Sequence, residues 1–141
     1  MIVMRMHKGS YLLFMTFRNS MTSDIGSLGK SEIGPGEYCY VGSAMNGFAG
    51  RINRHMAAEK KVRWHIDRLT LIADGMEAYV SPNAEECMLA HSAEKCGGVQ
   101  AIKGFGCSDC RCRTHLFLMD TESKRKLLDS SGAALFRVKD M

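Results

Sequence analysis

Prolines and long apolar runs are scarce in this chain. Its 141 residues include 2 prolines, which excludes proline-rich recognition tracts and argues against long unstructured linkers. The longest apolar stretch, Tyr11 to Phe17, has seven residues and contains Thr16, against the roughly 20 that a membrane helix needs, so no membrane is expected as a partner. That stretch follows Arg5, His7 and Lys8 but runs into Arg18-Asn19-Ser20 without a small-residue cleavage site, so it does not read as a signal peptide. No internal repeat is visible. What is present is ordinary for one globular domain, with 45% hydrophobic and 24% charged residues. A chain of this length can bury a sufficient core without disulfide staples.

Six cysteines stand at positions 39, 87, 96, 107, 110 and 112. Without a secretory segment they read as reduced thiols or metal ligands, and the expected compartment is cytoplasmic. The formal net charge is +4, compatible with nucleic acid but not diagnostic of it. Its distribution says more. Arg51, Arg54, Lys60, Lys61, Arg63 and Arg68 crowd one segment against only Glu59 and Asp67. Such a segment is either a solvated helix face or a surface that meets phosphates, with Arg54, Lys60, Lys61 and Arg63 as the candidate contacts.

Along the chain, Gly9 to Arg18 reads as a buried strand, and Ser20 to Ser23 as a polar turn. Asp24 to Leu28 reads as a short second strand and Glu37 to Val41 as a third, after the Gly34-Pro35-Gly36 turn. The tight connections imply an antiparallel meander. From Gly47 to Lys60, Phe48, Ile52, His55 and Met56 recur at helical spacing, and Arg63 to Leu71 is a second helical stretch. Met76 to Val80 is a strand, and Ser81-Pro82-Asn83 opens a helix with Glu85 and Glu86 in its first turn, ending near Cys96-Gly97-Gly98. Gly104 to Arg113 is irregular, His115 to Met119 a strand, and the charged tail from Asp120 holds a short strand at Ala134 to Val138. The fold class expected is α/β (α+β), a small, mainly antiparallel central sheet flanked by helices.

Two strand segments carry tyrosine: Gly9-Ser10-Tyr11 and Tyr40-Val41-Gly42. Taken singly, a strand tyrosine is packing. Arg51 and His55 follow, one helical turn apart on one face, a pair able to hold a phosphate and shuttle a proton. Tyr40-Val41-Gly42-Ser43-Ala44 with Arg51 and His55 resembles the second half of the GIY-YIG endonuclease signature, and Gly9-Ser10-Tyr11 the first half. Glu86 stands where that superfamily keeps its metal-binding glutamate. The WHID and EEC segments, with Gly104-Phe105-Gly106-Cys107-Ser108-Asp109-Cys110, resemble an uncharacterised prokaryotic branch that also occurs fused to DNA-repair glycosylases. The likeness covers about residues 8 to 119. Ser10 replaces a usually apolar residue, and the tyrosines lie 29 positions apart, farther than in typical members but as in that branch.

The resemblance implies a GIY-YIG-like domain over residues 1–119, with residues 120–141 as an extension packed on it or trailing from it. It implies a metal-dependent DNA endonuclease, structure-selective and linked to repair, with a repair glycosylase as a possible partner. Magnesium or manganese would be held by Glu86, with Glu85 its competitor for that role. Arg51 would clamp the phosphoryl oxygens. Tyr11 would act as general base, its phenol lowered from about 10 by the cation and Arg51. Tyr40 and His55 would position water or relay a proton, with His65 as a further participant. The alternatives are a non-catalytic nucleic-acid-binding module of the same fold, or a zinc-stabilised interaction domain. Trp64 reads as an anchor for the second helix rather than a base-stacking platform.

The zinc alternative rests on Cys107-x2-Cys110-x-Cys112-x2-His115. Thiolate plus imidazole suits tetrahedral zinc, although four ligands from one short loop are cramped. The other readings are small buried thiols with Asp109 bonding the loop backbone, or Ser108, Asp109 and His115 bordering the nuclease pocket. A redox pair at Cys107 and Cys110 fits least, because it does not open a helix after a strand.

Overall fold

The structure is a computed structural model, and it describes residues 9–25, 28–44, 47–62, 64–82, 84–107 and 112–136. The strands are β1 (Gly9–Phe17), β2 (Met21–Asp24), β3 (Lys30–Ile33), β4 (Gly36–Ala44), β5 (Gly75–Pro82), β6 (Val99–Gln100), β7 (Leu116–Met119) and β8 (Ala134–Phe136). The helices are α1 (Phe48–Met56), α2 (His65–Thr70), α3 (Glu86–Lys95) and α4 (Thr121–Ser131). Six strands form an antiparallel sheet in the order β6-β7-β4-β1-β5-β8. This is the mixed α and β class that the sequence led us to expect.

β1 reads as a nearly continuous apolar run because it is central and covered on both sides. Strand alternation sends Tyr11, Leu13, Met15 and Phe17 to a core shared with Phe48 and Ile52 of α1 and Ile66 and Leu69 of α2. Leu12 and Phe14 go to the opposite core, with Leu89, Ala90 and Ala93 of α3 and Leu127 of α4. Each fully buried side chain of this size contributes about 1.5–3 kcal/mol through burial. The sheet is therefore a middle layer with helices on both faces.

The second strand is corrected. Met21–Asp24, expected to be mostly turn, is β2, and it pairs with β3 in a separate two-stranded sheet, with Met21 opposite Ile33. Among the described residues of the strand expected at Asp24 to Leu28, only Asp24 lies in a strand. The physical reason is the anchoring of Met21 and Ile33 on the main core, which sets the register of an otherwise polar hairpin. The meander is thus interrupted, and β1 pairs directly with β4, Tyr11 opposite Gly42. Pro82 does not open a helix. It is the last residue of β5, paired with Gly9, a terminal position where its missing N–H is tolerated.

α4 is a helix that the sequence reading did not contain. Asp120 Oδ1 accepts from the Ser123 N–H at 2.7 Å, and left-handed Gly132 ends the helix. Lys124 Nζ then donates to Glu37 of β4 and Glu77 of β5, each at 2.8 Å. β8 pairs with β5 at Ala78–Phe136, while residues 137–138 of the expected last strand lie outside the described residues. Among the described residues, no helix is long and apolar enough to cross a membrane.

Candidate functional site

At one end of the sheet, β1, β4, α1 and α3 bring five of the singled-out side chains into one neighbourhood. Tyr11 on β1 and Tyr40 on β4 share a face because Tyr40 is two residues from Gly42, the partner of Tyr11. Their ring centroids lie 6.3 Å apart. His55, on the core side of α1, closes the triangle at 5.4 Å from Tyr11 and 6.2 Å from Tyr40. The Tyr11 hydroxyl and His55 Nε2 are hydrogen-bonded at 2.6 Å. Arg51 lies one turn earlier on α1, and Glu86 is in the first turn of α3. Both are half-buried, and their charges act on both phenols.

Gly42 has a direct reason in this packing. A Cβ there would collide with the Tyr11 hydroxyl and ring, so the glycine of the Tyr40-Val41-Gly42 segment is what lets Tyr11 lie across β4 toward His55.

Burial governs the protonation of the cluster. Tyr11 is 1% exposed, and desolvation first, then the neighbouring Tyr40, push its phenol well above its ordinary 10, with Arg51 opposing. Tyr40 is raised for the same first reason, then by Glu86. The expected lowering of Tyr11 by Arg51 exists, but desolvation outweighs it. His55 is pushed down to about 3, by desolvation first and then by Lys60 and Arg51. It is therefore a neutral imidazole, and its Nδ1 has no hydrogen-bond partner among the described residues.

This gives a pH prediction. Between the ordinary 6.5 of an unfolded histidine and about 3 in the folded chain, only the unfolded state binds the proton. Stability is then fully present above 6.5 and falls as pH drops through that window, by up to about 1.4 kcal/mol per pH unit from this group. Urea unfolding of wild type and His55→Gln across this range should show a flatter acid dependence in the variant. Parallel curves would show that His55 titrates normally in the folded state.

The basic segment divides. Arg54 Nη2 pairs with fully buried Asp67 at 2.6 Å and donates to the Lys61 carbonyl at 2.8 Å. Lys60 Nζ caps the end of α1, donating to the Arg54 and His55 carbonyls and to Thr70 Oγ1 at 2.7–2.9 Å. Arg54 and Lys60 thus hold α1 against α2, while the Lys61 side chain is exposed. Arg63 lies outside the described residues. Trp64 stands at the N-cap of α2. It is 39% exposed, and the guanidinium groups of Arg51 and Arg54 sit 4.4 and 4.6 Å from its ring centroid.

His65 is one ring removed from the tyrosines. It lies 5.9 Å from Phe105, which packs edge-on to Tyr40 at 5.8 Å. His115 Nδ1 is 2.8 Å from Glu86 Oε2, so the histidine of the cysteine loop touches the proposed metal ligand. Glu85 takes the N-cap position of α3 and is exposed. Cys107 donates to the Phe105 carbonyl at 3.4 Å, and Cys110, Ser108 and Asp109 lie outside the described residues. Among the described residues, the thiol grouped with Cys112 and His115 is Cys87. Cys87 was read only as one of six thiols or metal ligands and not as part of the loop's set, and Asp67 only as one of two acids in the basic segment. The only signal for Cys87 was its place directly after Glu86.

A family model described as "Domain of unknown function DUF123" matches residues 10–136. No curated protein and no solved structure matches the chain.

Proposed function

The chain belongs to the DUF123 family of domains of unknown function, and we propose that it is a metal-dependent endonuclease of GIY-YIG type that hydrolyses phosphodiester bonds in DNA. The observation that carries this reading is the Tyr11–His55 hydrogen bond at 2.6 Å, flanked by Tyr40, Arg51 and Glu86. Residues separated by up to 75 positions lie in one neighbourhood, which supports the site that the GIY-YIG resemblance implies. A cytoplasmic, repair-linked role belongs to the same reading.

A hard divalent cation fits Glu86. Its side chain is 28% exposed, one oxygen is held by His115, and a single carboxylate completed by waters is the usual donor set for magnesium or manganese. Bound there, such a cation would neutralise phosphate charge and acidify water. The protein's own part is orientation, charge and proton movement. Arg51, at the rim, faces charge developing on non-bridging oxygens. Half-buried Tyr40 positions the attacking water. The water's proton passes to the Tyr11 oxygen as the Tyr11 proton passes to neutral His55 Nε2, so no buried tyrosinate forms. His55 ends as imidazolium and returns the proton to the leaving oxygen through the same bond.

A second reading has one observation in its favour. Tyr11 is sealed at 1% exposure, as a packing tyrosine would be in a non-catalytic nucleic-acid-binding module. The deciding experiment offers labelled duplex, single-stranded, flap and junction DNA with magnesium or manganese to wild type and Glu86→Ala, purified identically. Metal-dependent cutting lost in Glu86→Ala is expected. Salt-sensitive binding without cutting would leave the binding module, and equal cutting by both would remove Glu86 from the site.

A further inference from the structure

Cys87 in the first turn of α3, Cys112 in the loop before β7, and His115 at the end of that loop each offer a ligand atom, and these atoms all lie within 4.8 Å of one another. They come from segments 25 residues apart in sequence, so the grouping is made by tertiary packing. The Val41 N–H of β4 donates to the His115 carbonyl at 2.9 Å, which seats the loop against the sheet. His115 is 1% exposed and Glu86 takes its Nδ1 at 2.8 Å.

We propose that Cys87, Cys112 and His115 form a zinc site that ties the Glu86-bearing turn of α3 to the loop before β7. Two thiolates and an imidazole are a soft, nitrogen-and-sulfur donor set that selects zinc over magnesium or calcium. Two thiolates match the charge of a divalent ion, so the centre is neutral at the edge of a buried layer. A carboxylate on an imidazole nitrogen is the usual partner that fixes a metal-binding histidine ring. The three protein ligands found among the described residues leave a fourth position open. This site is distinct from the magnesium site proposed at Glu86, and among the described residues it adds Cys87 to Cys112 and His115 of the loop that spacing suggested.

Backbone contacts around it are tight enough to hold the geometry. Gly106, at φ +74°, sits where a Cβ would come within 3.2 Å of both His115 and Tyr40. Gly106 and His115 are therefore packed against Tyr40, and Glu86 is hydrogen-bonded to His115 while its charge acts on both phenols.

The test uses the full chain, reduced, loaded with zinc and freed of excess by gel filtration. Elemental analysis should give a single zinc per chain. Cobalt replacement should give intense visible bands together with sulfur-to-metal charge transfer. Cys87→Ser, Cys112→Ser and His115→Ala should each lose the metal, Cys96→Ser should keep it, and Glu86→Ala should weaken affinity by about 10–100-fold. Should the ligand variants fail to fold, wild type suffices: zinc should protect Cys87 and Cys112 from alkylation while Cys96 reacts at its unprotected rate. Zinc-free wild type without the cobalt spectrum would overturn the proposal. So would equal alkylation with and without zinc, a Cys87–Cys112 disulfide that persists under reductant, or full zinc in Cys87→Ser. None of these readouts depends on DNA cleavage.

Discussion

Replacing Arg51 with alanine is expected to lower phosphodiester cleavage by about 10²–10³-fold while leaving substrate affinity nearly unchanged. The argument rests on position. Arg51 sits one helical turn before His55, half-buried at the rim of the tyrosine cluster. Its guanidinium is steadied 4.4 Å from the Trp64 ring centroid. Its charge already favours anionic forms of both phenols, so in the proposed reaction it would meet the negative charge that develops on the phosphoryl group. An interaction that strengthens as charge develops appears in kcat and kcat/KM together. Single-turnover cleavage and equilibrium binding, each across a salt series, separate the cases. Weakened binding with a shallower salt slope would mean that Arg51 simply meets phosphate in the ground state, as in a binding module. Arg51→Lys should fall between wild type and alanine, because it restores charge without the planar fork.

The parts of this molecule that could be read from the sequence are those fixed by local pattern. β1 and β4 announce themselves through apolar and aromatic content, because both lie in the interior of the sheet. α1 shows its stripe because Phe48, Ile52 and His55 all face one core. The five-residue cluster was expected from the GIY-YIG resemblance, and strand alternation puts Tyr11 and Tyr40 on one face once β1 and β4 pair. Other features depend on contacts that no local pattern encodes. α4 has Leu127 and Leu128 among charged and small residues, and it is held by an aspartate cap and by Lys124 reaching two strands. The β2–β3 hairpin is polar except where Met21 and Ile33 touch the core. Cys87 meets Cys112 and His115 only after α3 has packed. The neutrality of His55 and Tyr11 is likewise a property of burial, which spacing does not reveal.

Asp67→Ala should destabilise the fold by about 3 kcal/mol, near the lower end for breaking a buried ion pair. Asp67 is fully buried, and its Oδ2 accepts both from Arg54 Nη2 at 2.6 Å and from the Trp64 N–H at 3.0 Å. Alanine removes the cap of α2 and leaves the Arg54 guanidinium facing an apolar interior on one side. The Arg54 side chain keeps 22% exposure, which lets water take up part of the charge and keeps the loss from the upper end of the range. Asp67→Asn retains an acceptor for one donor and should lose about 1.5–3 kcal/mol, the worth of the charged hydrogen bond. Removing both partners in Arg54→Ala/Asp67→Ala should recover much of the single-variant loss, because no uncompensated charge remains. Urea unfolding of the four proteins measures this coupling directly. Strictly additive losses would show that the pair is not coupled. The consequence for the site follows from geometry: the same pair anchors α1, and α1 carries both Arg51 and His55. A loosened α1 would lengthen the Tyr11–His55 bond, so Asp67→Ala should also lower cleavage at temperatures where the variant is still folded.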